Sequence, residues 1–105
     1  MSYFAVTRIA GPAWTQGKGT FDQPDVNDHA TFMNTLAEQG AVLFAGPLAG
    51  TEHGRIRVLL IMDVADEAEV HRLLADDPWA LAERIVVVSV EAWNVFVGAQ
   101  RLAAA

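Results

Sequence analysis

The chain has no cysteine, which removes disulfides, thiolate metal ligands and a cysteine nucleophile from consideration. It is also short of basic residues: seven Lys and Arg against thirteen Asp and Glu leave a net charge of −6. Nucleic acid and anionic membranes want clustered cations, and these seven are scattered, so both partners are set aside. No apolar run is long and charge-free enough to cross a bilayer. The chain begins directly in an alternating pattern, without the charged region and apolar stretch of a secretory leader. A soluble, cytoplasmic protein is the expectation. Phosphate-loop and metal signatures are missing as well. Gly17-Lys18-Gly19 lacks the length and the following Ser or Thr of a phosphate loop. The three histidines, His29, His53 and His71, have no metal-ligand spacing. No Ser or Thr sits in a nucleophile-elbow pattern. Neither a metal nor an organic cofactor is expected.

What is present is enough apolar content, 52% over 105 residues, for one small domain with one core. Residues 3–9 alternate and are rich in β-formers, so they read as a first strand, stopped by Gly11 and Pro12. Residues 11–24 show no periodicity, and a loop of that length is commonly functional or disordered. Its Trp14 and Phe21 argue for packing onto something. Residues 27–40 read as an amphipathic helix capped by Asp28 or Asn27 and ended by Gly40. Residues 41–45 and 56–64 read as strands, joined through Gly46-Pro47 and a turn over 49–54. Asp66 opens a second helix, with Glu69 at capping-box spacing, and Pro78 ends it near residue 76. Residues 85–97 read as a long fourth strand. The domain spans residues 1–98, and the alanine-rich tail, 99–105, is expected to fray.

The order βαββαβ predicts a ferredoxin-like α+β sandwich: an antiparallel sheet in spatial order 4-1-3-2 with both helices on one face. The third strand is apolar on both faces, with Ile56, Val58, Leu60 and Met62 on one and Leu59 and Ile61 on the other. Helices cover one face only. The second would be an apolar patch of a size monomers seldom expose, so a homodimer packed sheet to sheet is expected.

The same topology sorts the loops. Residues 11–27, 46–54 and 76–84 all fall on one rim, and only tight joins fall on the other. His29 opens the first helix on its apolar stripe of Phe32, Met33 and Leu36. Asp77 closes the stripe of the second helix, Val70, Leu73 and Leu74. The fold therefore brings an imidazole and a carboxylate to one rim. The carboxylate fixes the tautomer and favours the imidazolium, whereas burial and the helix N-terminus oppose it. A histidine balanced in that way suits general acid–base chemistry.

Plainer readings stand beside this one. A lone histidine on a helical stripe is more often a hydrogen-bonded core residue, and Asp77 before Pro78 can simply cap a turn. Trp14, Trp79 and Trp93 belong more often to a core or interface than to a ligand platform. His53, in a glycine-flanked turn, and His71, beside the stripe of the second helix, read as solvated.

Tyr3-Phe4-Ala5-Val6, the helix pattern His29-Ala30-x-Phe32-Met33-x-x-Leu36-x-x-x-Gly40, Gly46-Pro47-Leu48 and Asp76-Asp77-Pro78-Trp79 together resemble the YCII-related family over nearly the whole domain. The resemblance implies a dimeric α+β barrel paired through its sheets and a site made of His29 and Asp77. It also implies a dehydrochlorinase-like, cofactor-independent lyase or isomerase acting on a small cyclic molecule. Trp14, Pro47 and Trp79 are expected as substrate contacts. The longer first loop carrying Trp14 departs from the family pattern. The alternative is a non-catalytic, ligand-binding or structural homo-oligomer. An open mixed pocket reaching His29 would favour the enzyme, and a filled rim with His29 on a backbone carbonyl would favour the alternative.

Overall fold

The computed structural model describes residues 2–103. Four strands, β1 (Ser2–Ala10), β2 (Val42–Pro47), β3 (Arg57–Val64) and β4 (Ile85–Ala92), form one antiparallel sheet in the order β2-β3-β1-β4. Helices α1 (Val26–Glu38) and α2 (Glu67–Leu74) cover one face, which gives the ferredoxin-like α+β arrangement expected. Inward-facing Phe4, Val6, Leu60, Met62 and Val64 meet Leu36 of α1 and Val70 and Leu74 of α2 in the main core. A second cluster, Ala10, Trp14, Ile56, Trp79 and Ile85, closes the rim end of the sandwich.

The ends of α1 show how local chemistry sets its position. Gly40, at φ 84°, terminates it: Ala41 N–H bonds Leu36 O at 3.0 Å and Gly40 N–H bonds Ala37 O at 3.0 Å. That paired arrangement satisfies carbonyls the helix would otherwise leave open. The start lies earlier than the sequence predicts. Asp25, not Asp28 or Asn27, precedes the first turn, in the left-handed region at φ 61°. Asp tolerates that conformation better than most residues. Asp28 then falls in the first turn, where its charge meets the positive helix end.

Three further expectations change. The apolar run after Ile85 does not continue as strand to residue 97. β4 pairs with β1, Phe4 lies opposite Ala92, and β1 has only two described residues left beyond that point. After Trp93 N–H bonds Tyr3 O at 2.9 Å, the chain leaves the sheet. The tail, expected to fray, forms a short helix, α4 (Ala99–Ala103), over the residues described. Asp77 does not close α2, which ends at Leu74, but opens a separate one-turn helix, α3 (Pro78–Leu81). Proline cannot follow a helical residue comfortably but fits a first helical position, so Asp77-Pro78 restarts the helix instead of continuing it. The helix signal at Asp66 holds, with its carboxylate accepting from Glu69 N–H at 2.9 Å.

The long first loop is ordered by Gln23. Its Oε1 accepts from Thr15 N–H at 2.8 Å, and its Nε2 donates to the carbonyls of Thr15 and Lys18 at 3.1 and 3.0 Å. Trp14 packs inward, as its size predicts, but Phe21 is 81% exposed. Gly11 seats the loop against the α3–β4 connection: its N–H bonds Arg84 O at 2.7 Å, and a Cβ there would collide with Glu83 O.

Candidate functional site

Arg8 organises the site from beneath. It follows Phe4 and Val6 at a spacing of two, and successive strand residues alternate faces, so its side chain points into the core. The register of β4 shifts beside it, between Thr7 and Arg8, which leaves Val88 exposed while Val87 and Val90 both pack inward. Arg8 is 1% exposed and must meet a counter-charge. Asp77 supplies it, with Arg8 Nη2 donating to Oδ2 at 2.8 Å.

Asp77 is fully buried and has two further donors. Trp79 N–H gives to Oδ1 at 2.9 Å, the bond that caps α3. His29 Nδ1 lies 2.9 Å from Oδ1 and 2.8 Å from Oδ2. Burial pushes the Asp77 carboxyl up, but the hydrogen bond from His29, the charge of Arg8 and the Trp79 amide together hold it below the usual carboxylate range. Burial pulls the Arg8 guanidinium down and Asp77 opposes this; a guanidinium stays cationic near neutrality in either case.

An ionised carboxylate only accepts, so the neutral imidazole carries its proton on Nδ1 and leaves the Nε2 lone pair free. The His29 ring is fixed on its face as well, stacked on Trp79 with centroids 4.0 Å apart and planes 7° off parallel. Trp79 is held in turn by Trp14, edge-on at 5.5 Å, and by its Nε1–H bond to Pro24 O at 2.8 Å.

A cavity of about 310 Å³ opens beside this group. His29, Ala30, Met33 and Asn34 of α1 line it, with Pro47 of β2, Thr20 and Phe21 of the first loop, Glu52, and Arg8 at the base. The walls are mostly aliphatic and aromatic. The structure thus brings His29, Asp77 and Pro47 to one place. It sets Trp79 under the imidazole and Trp14 edge-on against Trp79, both in the core cluster and outside the cavity wall, because both indoles are buried by packing. His53 and His71 lie on the surface, beside Glu52 and Glu67 respectively. Among the described residues no group of three or more His, Asp or Glu could hold a metal ion, and no helix is long and apolar enough to cross a membrane. Arg8 was not singled out by the sequence reading, although its place in the buried phase of an alternating strand was visible there. Thr20 and Glu52 carry no periodic signal and come to the cavity only through loop packing.

No curated protein matches the chain. Among solved structures it is similar to the 5-chloro-2-hydroxyhydroquinone dehydrochlorinase of Burkholderia phenoliruptrix AC1100, in complex with 2,5-dihydroxybenzoquinone, at a TM-score of 0.62 and 23% identity over 90% of this chain and 95% of that one. At that identity the likeness speaks for the fold. The sequence match to the YCII-related domain runs over residues 6–94, from within β1 to just past β4, and the chain belongs to that family.

Proposed function

We propose that the protein is a cofactor-independent lyase or isomerase in which His29 moves a proton on a small cyclic or aromatic substrate and Asp77 holds the imidazole for that task. The observation that carries this reading is the His29 Nδ1–Asp77 contact at 2.8 Å in the wall of an open, largely apolar cavity. A purely structural role for His29 would not need the cavity. The fold likeness to a dehydrochlorinase points in the same direction. In the reaction envisaged, Nε2 takes a proton from an acidic hydroxyl or C–H of the substrate. The electron pair left behind forms a new π bond. In a lyase the leaving group departs with the pair of its broken bond and the imidazolium gives its proton up to that group or to water; in an isomerase the imidazolium returns the proton at a second atom. No electron acceptor enters that balance. Asp77 stabilises the imidazolium while it exists.

The assembly proposed is a homodimer through the uncovered sheet face. Ala5, Thr7, Leu59 and Ile61 share that face by register, and Phe44 pairs with Ile61 on it. Phe44 and Leu59 are 56% and 42% exposed in the single chain. The test of function is a metabolite screen by thermal shift on wild type and His29→Ala, followed by proton-exchange NMR in D2O on each hit. Hits that stabilise both proteins but exchange no proton with wild type would overturn the catalytic reading.

A further inference from the structure

The cavity contains polar atoms that the His29–Asp77–Arg8 group does not use. Glu52 Oε2 and Thr20 Oγ1 are both buried with no hydrogen-bond partner among the described residues, and both residues line the cavity. They come from different segments, the turn after β2 and the first loop, which meet closely: a Cβ on Gly19 would lie 2.8 Å from Glu52 O. Leaving a buried carboxylate oxygen unpaired is costly, more so than for a neutral group. The other oxygen, Oε1, has only the exposed His53, 3.4 Å away. The Glu52 side chain is 27% exposed, so rotation about its inner torsions, which are staggered and open on that side, brings the carboxylate to the cavity.

Charge sharpens the chemistry. The one guanidinium of the cavity, Arg8, is already matched by Asp77 at 2.8 Å. Glu52 therefore leaves this wall with an excess of negative charge and an acceptor to be filled. A ligand that presents a carboxylate there meets a like charge in an apolar surrounding, where repulsion is strong. A ligand that presents a hydroxyl or N–H fills the acceptor.

We propose that Glu52 is the specificity-determining residue of this cavity: it accepts a hydrogen bond from a hydroxyl or N–H on a ring substrate, with the Thr20 hydroxyl as its neighbour, and rejects rings carrying an acid group at that position. The inference rests on the cavity being the substrate site. It assigns the substrate class as uncharged rings bearing at least one hydrogen-bond donor besides the atom that meets His29.

Three 1,4-disubstituted rings, alike at both ends so that orientation cannot confuse the comparison, test it: hydroquinone under argon, 1,4-dimethoxybenzene and terephthalate. Each is titrated into ¹⁵N-labelled protein while the backbone and the His29 ring signals are followed. A hydrogen bond to a charged group corresponds to roughly tenfold or more in affinity. Hydroquinone should bind wild type about tenfold more tightly than the dimethyl ether, with terephthalate weakest. In Glu52→Leu the preference for hydroquinone should shrink to the part its other hydroxyl gains at His29. In Glu52→Gln, which keeps the shape and an acceptor, the penalty on terephthalate should shrink. Thr20→Val should weaken hydroquinone by a smaller factor, about fivefold, the worth of a neutral hydrogen bond. A preference for hydroquinone that is undiminished in Glu52→Leu, with His29 signals still moved by the ligand, overturns this proposal and leaves the site reading intact. Hydroquinone binding that leaves the His29 signals unmoved overturns the site reading, and this proposal with it. Failure of all three rings to bind at their solubility limits also overturns the proposal.

Discussion

His29 lies flat on Trp79, 4.0 Å between centroids and 7° from parallel, while its Nδ1 meets the carboxylate two residues earlier in the chain. One short turn therefore fixes both the face and the edge of the imidazole. Asp77 sets where the ring points, and Trp79 sets the plane in which it does so. That explains why an aspartate, a proline and a tryptophan follow one another here: proline restarts the helix, the aspartate caps it, and the indole lies beneath the ring.

Replacing Trp79 separates these roles. Trp79→Phe keeps an aromatic face under His29 but loses the Nε1–H bond to Pro24 O and some packing, at about 2 kcal/mol. Trp79→Leu should cost more and release the ring. The measurement is the ring-current shift of the His29 protons, retained in part in Trp79→Phe and lost in Trp79→Leu, beside urea denaturation at fixed protein concentration.

Arg8→Met tests the buried ion pair. With the guanidinium gone, Asp77 stays 0% exposed and loses its one permanently charged partner. Breaking a buried pair in this way costs about 3–5 kcal/mol. Combining it with Asp77→Asn, which removes the orphaned charge, should recover part of the loss. A double mutant that is no better than the sum of the singles would show that the pair does not couple.

The fold was legible in the chain because periodicity reports on burial, and burial is what a small sandwich must organise. The rim position of His29 and Asp77 followed from topology alone. Arg8 is harder to read because a run of β-formers marks a strand whatever single residue interrupts it; only the phase, two residues after Val6, puts this arginine in the core. The start of α1 at Asp25 depends on one residue adopting φ 61°, and no hydrophobic pattern records that. The end of β4 is set by where β1 runs out of partner, a long-range fact. Trp14 and Trp79 were expected at the ligand because aromatics suit both pockets and cores. Only packing shows that Trp79 lies beneath the imidazole and Trp14 against Trp79.

Acid stability should carry the mark of Asp77. Its carboxyl titrates below 3.8 in the native protein and near 3.8 when unfolded. Between those values the unfolded chain binds the proton and the native one does not, so stability rises with pH across that window. The contribution is complete above the unfolded value and is lost as pH falls through the native one. Urea midpoints from roughly pH 2 to 5 should therefore fall more steeply in wild type than in Asp77→Asn. Equal slopes would mean that Asp77 is not held ionised.

The uncovered sheet face gives a prediction about assembly. Leu59→Glu puts a charge at the centre of the apolar face without touching the main core, since Leu59 is 42% exposed. Sedimentation should show a dimer for wild type and a folded monomer for the variant. A wild-type monomer at micromolar concentration would overturn the proposed pairing.

His29→Ala is the sharpest contrast with Arg8→Met, because the two residues share Asp77 unequally. Removing the imidazole leaves the carboxylate with Arg8 Nη2 at 2.8 Å and Trp79 N–H at 2.9 Å, so no buried charge is stranded. The ring is itself 18% exposed at the side chain and borders the cavity, so the space it vacates opens to solvent instead of forming a sealed void. The cost should be about 1–2 kcal/mol, well under that of Arg8→Met. Proton transfer, by contrast, should vanish, because no other side chain in the wall pairs a free imidazole lone pair with a buried carboxylate. Measured together, the variant should melt a few degrees below wild type, keep its affinity for ring ligands within a few-fold and show no exchange of substrate protons with D2O. Exchange at the wild-type rate in His29→Ala would place the base elsewhere. A loss of stability as large as that of Arg8→Met would mean that the imidazole, and not the guanidinium, is the partner that keeps Asp77 buried.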